Sequence, residues 1–408
     1  MHDLPSAHYA QGEWNTLRVR LEQGKILCFV NDQQVAQISD DRLGAGRVGL
    51  VKFRDTRAQF KGFRVGRDLP NQTVSVDELA RIGKLVEAMP GKGSPDEKLI
   101  EELSADSVRA TTVLRERATL LESQATQLRE LALAAHERRV INDLTVALSA
   151  DDAKADLLRA SLLVARLDNE EVDVDAYCAD VERMAHEVAA RLPADAIDAV
   201  RLETLKKYLF EENGFHGSRG DYYHRANSYL NEVLDDREGL PITLSVIYME
   251  LARRIGLRVE GIGLPGHFVV AHQPAEGEPQ IIDVFEGATP VSRDEAGRRV
   301  KEATERELTD NDLKPTAKRA IVTRMLHNLL SVSGSDPKAM HRYLNAILAI
   351  DAKSAQHRLL RAVVRYRLQD RQRALEDVNW LLENNPPEID SGRVHELQQA
   401  VEGLPVRS

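Results

Sequence analysis

The sequence predicts a multidomain α+β protein. Three observations point there. Alternating apolar residues crowd the first 66 positions, a pattern of β-strands. A helix apolar on nearly every side, followed by three short strands, fills the centre. Helical periodicity resumes at residues 310–402, with two similar segments 35 residues apart when Ala339 is aligned with Ala374. The 408 residues exceed one ordinary core. The expected divisions are 1–68 (β), 69–150 (linker with a long helix), 151–305 (α+β core) and 310–402 (helical repeats).

Composition narrows the class. Hydrophobic residues make up 42% and charged residues 29%, a globular balance. The net charge of −10 repels a phosphate backbone, so nucleic acid is not an expected partner. There is no apolar run of about 18 residues, so no membrane span is expected. The first thirty residues lack the charged start and apolar stretch of a signal peptide. The two cysteines, Cys28 and Cys178, lie in different expected domains. They form neither a disulfide framework nor a metal knuckle.

Within residues 14–66, Leu17, Val19 and Leu21 alternate along a first strand. Ile26, Cys28 and Val30 follow to a turn at Asn31-Asp32, and Val35 and Ile38 lie on the return strand. Residues 48–53 and 60–65 read as two more strands. Five short strands with one apolar face do not close a domain alone. Pro70, Pro90, Gly91, Gly93 and Pro95 mark the linker. In the long helix expected at 105–148, Leu114, Leu121, Leu128 and Ala135 repeat every seven, with Ala118, Ala125 and Ala132 between them. Such a stripe packs on its own domain or forms a dimerising coiled coil.

Residues 151–235 read as helices, with Leu157, Leu158, Leu162 and Ala165 on one face. Pro241 suits a first helical turn, and the helix to Ile255 is capped by Gly256. Strands are expected at 259–264, 267–272 and 280–285. A hairpin centred near Ala275 makes His267 and Asp283 direct cross-strand partners.

A buried helix, then a strand with His, then a strand with Asp, is the order of a papain-type core. There a helix N-terminus favours a thiolate and the His moves the proton. Here the cysteine position falls near Pro241 or Ile242, and neither is a nucleophile. Thr243 and Ser245 lie close by, as hydroxyl substitutes or as plain cap and core groups. Asn227, Ser228 and Asn231 serve as ligand contacts or as an N-cap and backbone clamp. His267 with Asp283 is a general base held in one tautomer, or a satisfied buried pair. His216, His224, His267 and Asp283 match no metal spacing. His186-Glu187 lacks a second His at Ala190, so no metal is expected. No glycine-rich loop follows a strand, and no cofactor is implied.

Two resemblances follow. Gly12-Glu13-Trp14-Asn15, Val30-Asn31-Asp32, Gly46-Arg47-Val48-Gly49-Leu50 and Phe60-Lys61-Gly62-Phe63-Arg64-Val65 resemble the last half of a concanavalin-A-like (laminin-G-like) jelly-roll. That implies an internal start at Met1 or a partner supplying the other strands. It hints at glycan contact and an extracytoplasmic setting. The second rests on residues 227–234, Gly239-Leu240-Pro241-Ile242-Thr243-Leu244, residues 252–257, Gly263-Leu264-Pro265-Gly266-His267-Phe268 and Ile282-Asp283. These resemble the SirB-type transglutaminase-like family, over about residues 152–300. Its cysteine position is also not cysteine. His224-Arg225 stands where Asp-Pro is expected, and Val284 replaces a Pro. The helices after it resemble tetratricopeptide repeats, as a structural clamp or a peptide groove.

The expected protein is therefore a transglutaminase-like chain without the catalytic cysteine. The leading reading is a non-catalytic or regulatory module binding a peptide-like or small ligand at Asn227, His267 and Asp283. The alternatives are a cysteine-independent hydrolase or amidase, and a scaffold joining protein or glycan partners. The SirB-type resemblance implies the cytoplasm.

Overall fold

The computed structural model describes residues 151–405 and, before them, 9, 14–22, 24–31, 33–39, 48–50, 60, 62–67, 84, 97–104 and 107–148. Gly12, Glu13, Asp32, Gly46, Arg47 and Lys61 of the lectin-like motif lie outside these. So do residues 51–53 and the linker's Pro70, Pro90, Gly91, Gly93 and Pro95. The described residues fall into two compact units, one within 1–124 and one within 125–406.

In the first unit, β1 (Leu17–Glu22), β2 (Lys25–Val30) and β3 (Gln33–Ser39) form an antiparallel sheet in the order β1-β2-β3. Leu17 faces Val30, Val19 faces Cys28 and Leu21 faces Ile26, so one face is apolar. Leu17, Val19 and Leu21 on that face are exposed. The further strands expected at 48–53 and 60–65 are not formed among the described residues. A strand exists by pairing, and no partner ladder meets these segments there.

Helix α1 (Glu97–Ser104) precedes α2 (Ser107–Ala147), which is 41 residues long and ends in the second unit. Leu121 and Leu128 of its seven-residue stripe are exposed and do not pack on the other described residues of this chain. The helix buries Val140, and further on Leu144 and Leu148 also enter the core.

The second unit has one large core. It joins the end of α2 with α3 (Leu157–Arg166), α4 (Val174–Ala189), α5 (Asp198–Lys206) and a π-helical extension, Lys207–Glu212. Next come β4 (His216–Gly217), a 3₁₀ turn Arg225–Ser228, α6 (Leu230–Asp236) and β5 (Glu238–Gly239). Helix α7 (Pro241–Arg254) is buried at every position from Pro241 to Ala252. This is why its sequence carries no polar face. A four-stranded antiparallel meander packs against it: β6 (Val259–Ile262), β7 (Val269–His272), β8 (Gln280–Asp283) and β9 (Thr289–Pro290). Helix α8 (Arg293–Thr304) follows.

The remaining helices are α9 (Lys318–Val332), α10 (Pro337–Ile350), α11 (Ala355–Arg367), α12 (Arg371–Asn384) and α13 (Ser391–Glu402). Ile321, Met325 and Leu329 of α9 and Tyr343 and Ile347 of α10 sit in the large core, while α11–α13 bury a smaller one. Arg342 and Tyr343 both bond to Asp168, which also accepts from Tyr229 Oη at 2.5 Å. Asp168 thus ties α10 to the segment just after α3.

Three histidines with depressed pKa values should make the tail sensitive to acid. Burial, aided by Arg365 and Arg361, pushes His341 down to about 4. Burial also lowers His327 and His357, whose Nε2 atoms face each other. That contact needs one ring to donate and the other to accept. A histidine whose folded pKa is depressed leaves stability intact above its unfolded value of about 6.5, and stability falls as pH drops from there toward the folded value. Urea midpoints should therefore hold steady above about pH 6.5 and fall toward pH 4. His341→Gln should shrink that fall. An equal fall in the variant would contradict the assignment.

Candidate functional site around His267 and Asp283

Asp283 ends β8 with no exposed surface. Its two oxygens face two directions. Oδ2 accepts from His267 Nε2 at 3.0 Å and from Arg299 Nη1. Oδ1 accepts from the backbone N–H of Phe285 at 3.0 Å and of Glu286 at 3.3 Å. Burial alone would raise this carboxyl. The hydrogen bonds from His267 and Arg299, with their charges, outweigh it and hold it below the ordinary carboxylate range. An ionised carboxylate can only accept, so Nε2–H of His267 donates. In the neutral ring Nδ1 then carries the lone pair. Nδ1 has no hydrogen-bond partner among the described residues, and the side chain is 18% exposed.

The structure corrects the expected register. Val270 faces Ile282 and His272 faces Gln280, a slip of two residues from the pairing that would set His267 opposite Asp283. His267 lies outside the strand, two residues before β7 begins at Val269. The loop between the strands is centred at Glu276 rather than Ala275, with Gly277 at φ +104. The side chains meet nonetheless, because the turn before β7 swings His267 back. Gly266 takes φ +74 there, a conformation that costs a residue with a Cβ.

That turn is held from α9. Arg324 donates to Leu264 O at 3.1 Å and to His267 O at 2.7 Å, and its guanidinium lies 5.5 Å from the Phe268 ring centre. Thr316 Oγ1 accepts from Gly263 N–H at 2.8 Å. Arg299 reaches Asp283 from α8 and also binds Glu295 at 2.8 Å. Neither arginine carries a local sequence signal. They reach their partners over 16 to 60 residues.

The other candidates form a second cluster. Asn227 and Ser228 are buried in the 3₁₀ turn, Asn231 is buried in α6 and Thr243 in the first turn of α7. Thr243 Oγ1 accepts from Leu240 N–H at 2.9 Å and donates to Asn227 O at 2.9 Å. Asn227 Nδ2 donates to Ser218 Oγ at 3.0 Å and to Asp221 O at 2.8 Å. These contacts cap α7 and clamp the loop before the turn. Asn231 Nδ2 bonds to Glu232 at 3.0 Å. Ser245 is buried and has no hydrogen-bond partner among the described residues. The clusters are linked through aromatic edges: Tyr222 lies 6.2 Å from Phe285, and Phe285 lies 6.3 Å from His267. Sequence reasoning missed Tyr222, Phe285, Arg299 and Arg324. Among the described residues no group of three or more His, Cys, Asp or Glu is placed to hold a metal.

Removing the shared acceptor should be costly. Asp283→Ala leaves Arg299 and two backbone N–H groups without their partner, so it should lower the unfolding free energy by about 3–5 kcal/mol. Thr243→Val should cost about 1–2 kcal/mol through the lost cap. Urea unfolding checks both, and a loss under about 1 kcal/mol for Asp283→Ala would contradict its role.

Residues 175–327 match the model of the transglutaminase-like superfamily. A UPF0162 protein of Xylella fastidiosa (strain 9a5c) is 33% identical over 187 residues, covering 45% of this chain and 66% of the relative. A UPF0162 protein of Haemophilus influenzae is 24% identical over 193 residues, 46% of this chain and 70% of the relative. Human F-box only protein 21 is 36% identical over 86 residues, 21% of this chain and 13% of the relative. No solved structure matches. The match reaches into α9, whose Arg324 holds the His267 turn, and over these residues the chain is similar to the transglutaminase-like superfamily, while it spans just under two thirds of the Xylella relative.

Proposed function

We propose that this domain is a binding module rather than a thiol enzyme. One observation carries the reading. The N-terminus of α7, where the resembled family places its cysteine, offers buried Leu240, Pro241 and Ile242, closed by the Thr243 cap. No nucleophile can act from those side chains. His267 remains partly open, with its tautomer fixed by Asp283. A peptide-like or small ligand would accept or donate at Nδ1. The transglutaminase-like core is of the SirB type in this reading, set in the cytoplasm.

The open Nδ1 also favours a second reading, a hydrolase or amidase in which His267 activates water directly. The helical tail fits a tetratricopeptide-like clamp. Ala339 and Ala374 begin corresponding helices and are both buried, and α10 is pinned to Asp168. A peptide or protein partner is proposed for that tail, which together with glycan contact through the lectin-like segment makes up the scaffold reading.

An ester- and peptide-amide hydrolysis screen separates the first two readings. Wild type is compared with His267→Ala, with and without iodoacetamide. The binding module shows no turnover above the variant. Turnover that survives alkylation and disappears in His267→Ala would establish the hydrolase and overturn the proposal.

A further inference from the structure

Beside the candidate site, Phe285 also lines a recess of about 440 Å³. Phe210, Phe215 and Phe285 give it aromatic walls, and Glu238, Glu286 and Arg219 give it charge. Its wall and the candidate site share one anchor. Asp283 Oδ1 holds the backbone of Phe285 and Glu286, while Oδ2 holds His267. Gly217 lets the Phe285 ring take its place in this wall: a Cβ at residue 217 would come within 2.5 Å of the ring.

The charges in the recess are unevenly satisfied. Glu286 is paired with Arg219 at 2.5 Å. Glu238, half-buried at β5, has no ion pair or hydrogen bond among the described residues. An unpaired carboxylate beside three phenyl rings disfavours an anion and suits a cation on an apolar stem. The rings attract the cation through their faces and the stem through apolar contact, and the carboxylate supplies the charge. The molecule already uses this chemistry at the same place. Arg219 binds a carboxylate at the rim, and Arg237 lies 5.8 Å from the centre of the Phe215 ring. A planar guanidinium satisfies both features, since it stacks on a ring and pairs with a carboxylate through two N–H groups.

We propose that this recess binds a guanidinium on an apolar stem, as an arginine side chain of a peptide carries it, with Glu238 as its counter-ion. The proposal rests on the binding-module reading. It places the peptide's side chain against Phe285 and its backbone toward His267.

The test is an NMR titration of the full chain with N-acetyl-L-arginine amide. N-acetyl-L-norleucine amide and N-acetyl-L-glutamate amide serve as controls. The arginine probe should shift the amides of Gly217, Phe285, Glu286 and Gly287 saturably, and the controls should bind at least several-fold more weakly. Glu238→Gln, whose spectrum must otherwise match wild type, should weaken the arginine probe about tenfold. His267→Ala should change it less than about twofold. No shifts at these amides, equal binding of the glutamate or norleucine probe, or an unchanged Glu238→Gln affinity would each overturn the recess assignment. Turnover in the hydrolysis screen would overturn the binding-module reading instead, so the two failures are distinct.

Discussion

The site depends on one buried carboxylate. Asp283 is fully enclosed, yet it stays charged because four donors converge on it. An unpaired charge in that place would be expensive, and no single donor would offset it. Its two oxygens divide the labour. One fixes the imidazole and a guanidinium, the other fixes the turn that carries Phe285 and Glu286. The orientation of His267 and the wall of the neighbouring recess therefore rest on the same group. Arg299 balances the charge, so Asp283 acts as a structural anchor as much as a partner for histidine.

Around this anchor, distant segments are drawn in by backbone contacts. Arg324 of α9 grips the carbonyls of the turn that presents His267. Asn227 spends its amide on Ser218 and the Asp221 carbonyl, and the adjoining Tyr222 ring packs on Phe285. Thr243 closes the helix end that would have to open for a nucleophile to work. Several of the polar side chains here hold backbone, and among the described residues His267 Nδ1 is left without a hydrogen-bond partner on a side chain that is partly exposed. This distribution is what supports the proposed binding module.

Parts of this were legible in the sequence because the relevant forces are local. A helix with no polar face has to be buried, and α7 is. The pairing of β1, β2 and β3 follows from alternation and a two-residue turn. His267 and Asp283 were identifiable as a pair from their order, but their register was not. Symmetry about Ala275 ignored the freedom of Gly277, and the pair meets through a turn rather than across a ladder. Arg299 and Arg324 were invisible, since an arginine's reach across 16 to 60 residues leaves no mark in spacing. The leucine stripe of α2 marks a face without saying what covers it: Leu121 and Leu128 are exposed, and within this chain the helix packs through Val140 and Leu144.

The most direct test of this account is a long-range ¹H–¹⁵N spectrum of His267 in the wild-type protein, taken where the ring is neutral, with exchange rates for the Phe285 and Glu286 amides. The account predicts a protonated Nε2, a bare Nδ1 and slow exchange at both amides. A ring protonated at Nδ1, or two freely exchanging amides, would mean that Asp283 does not organise the site.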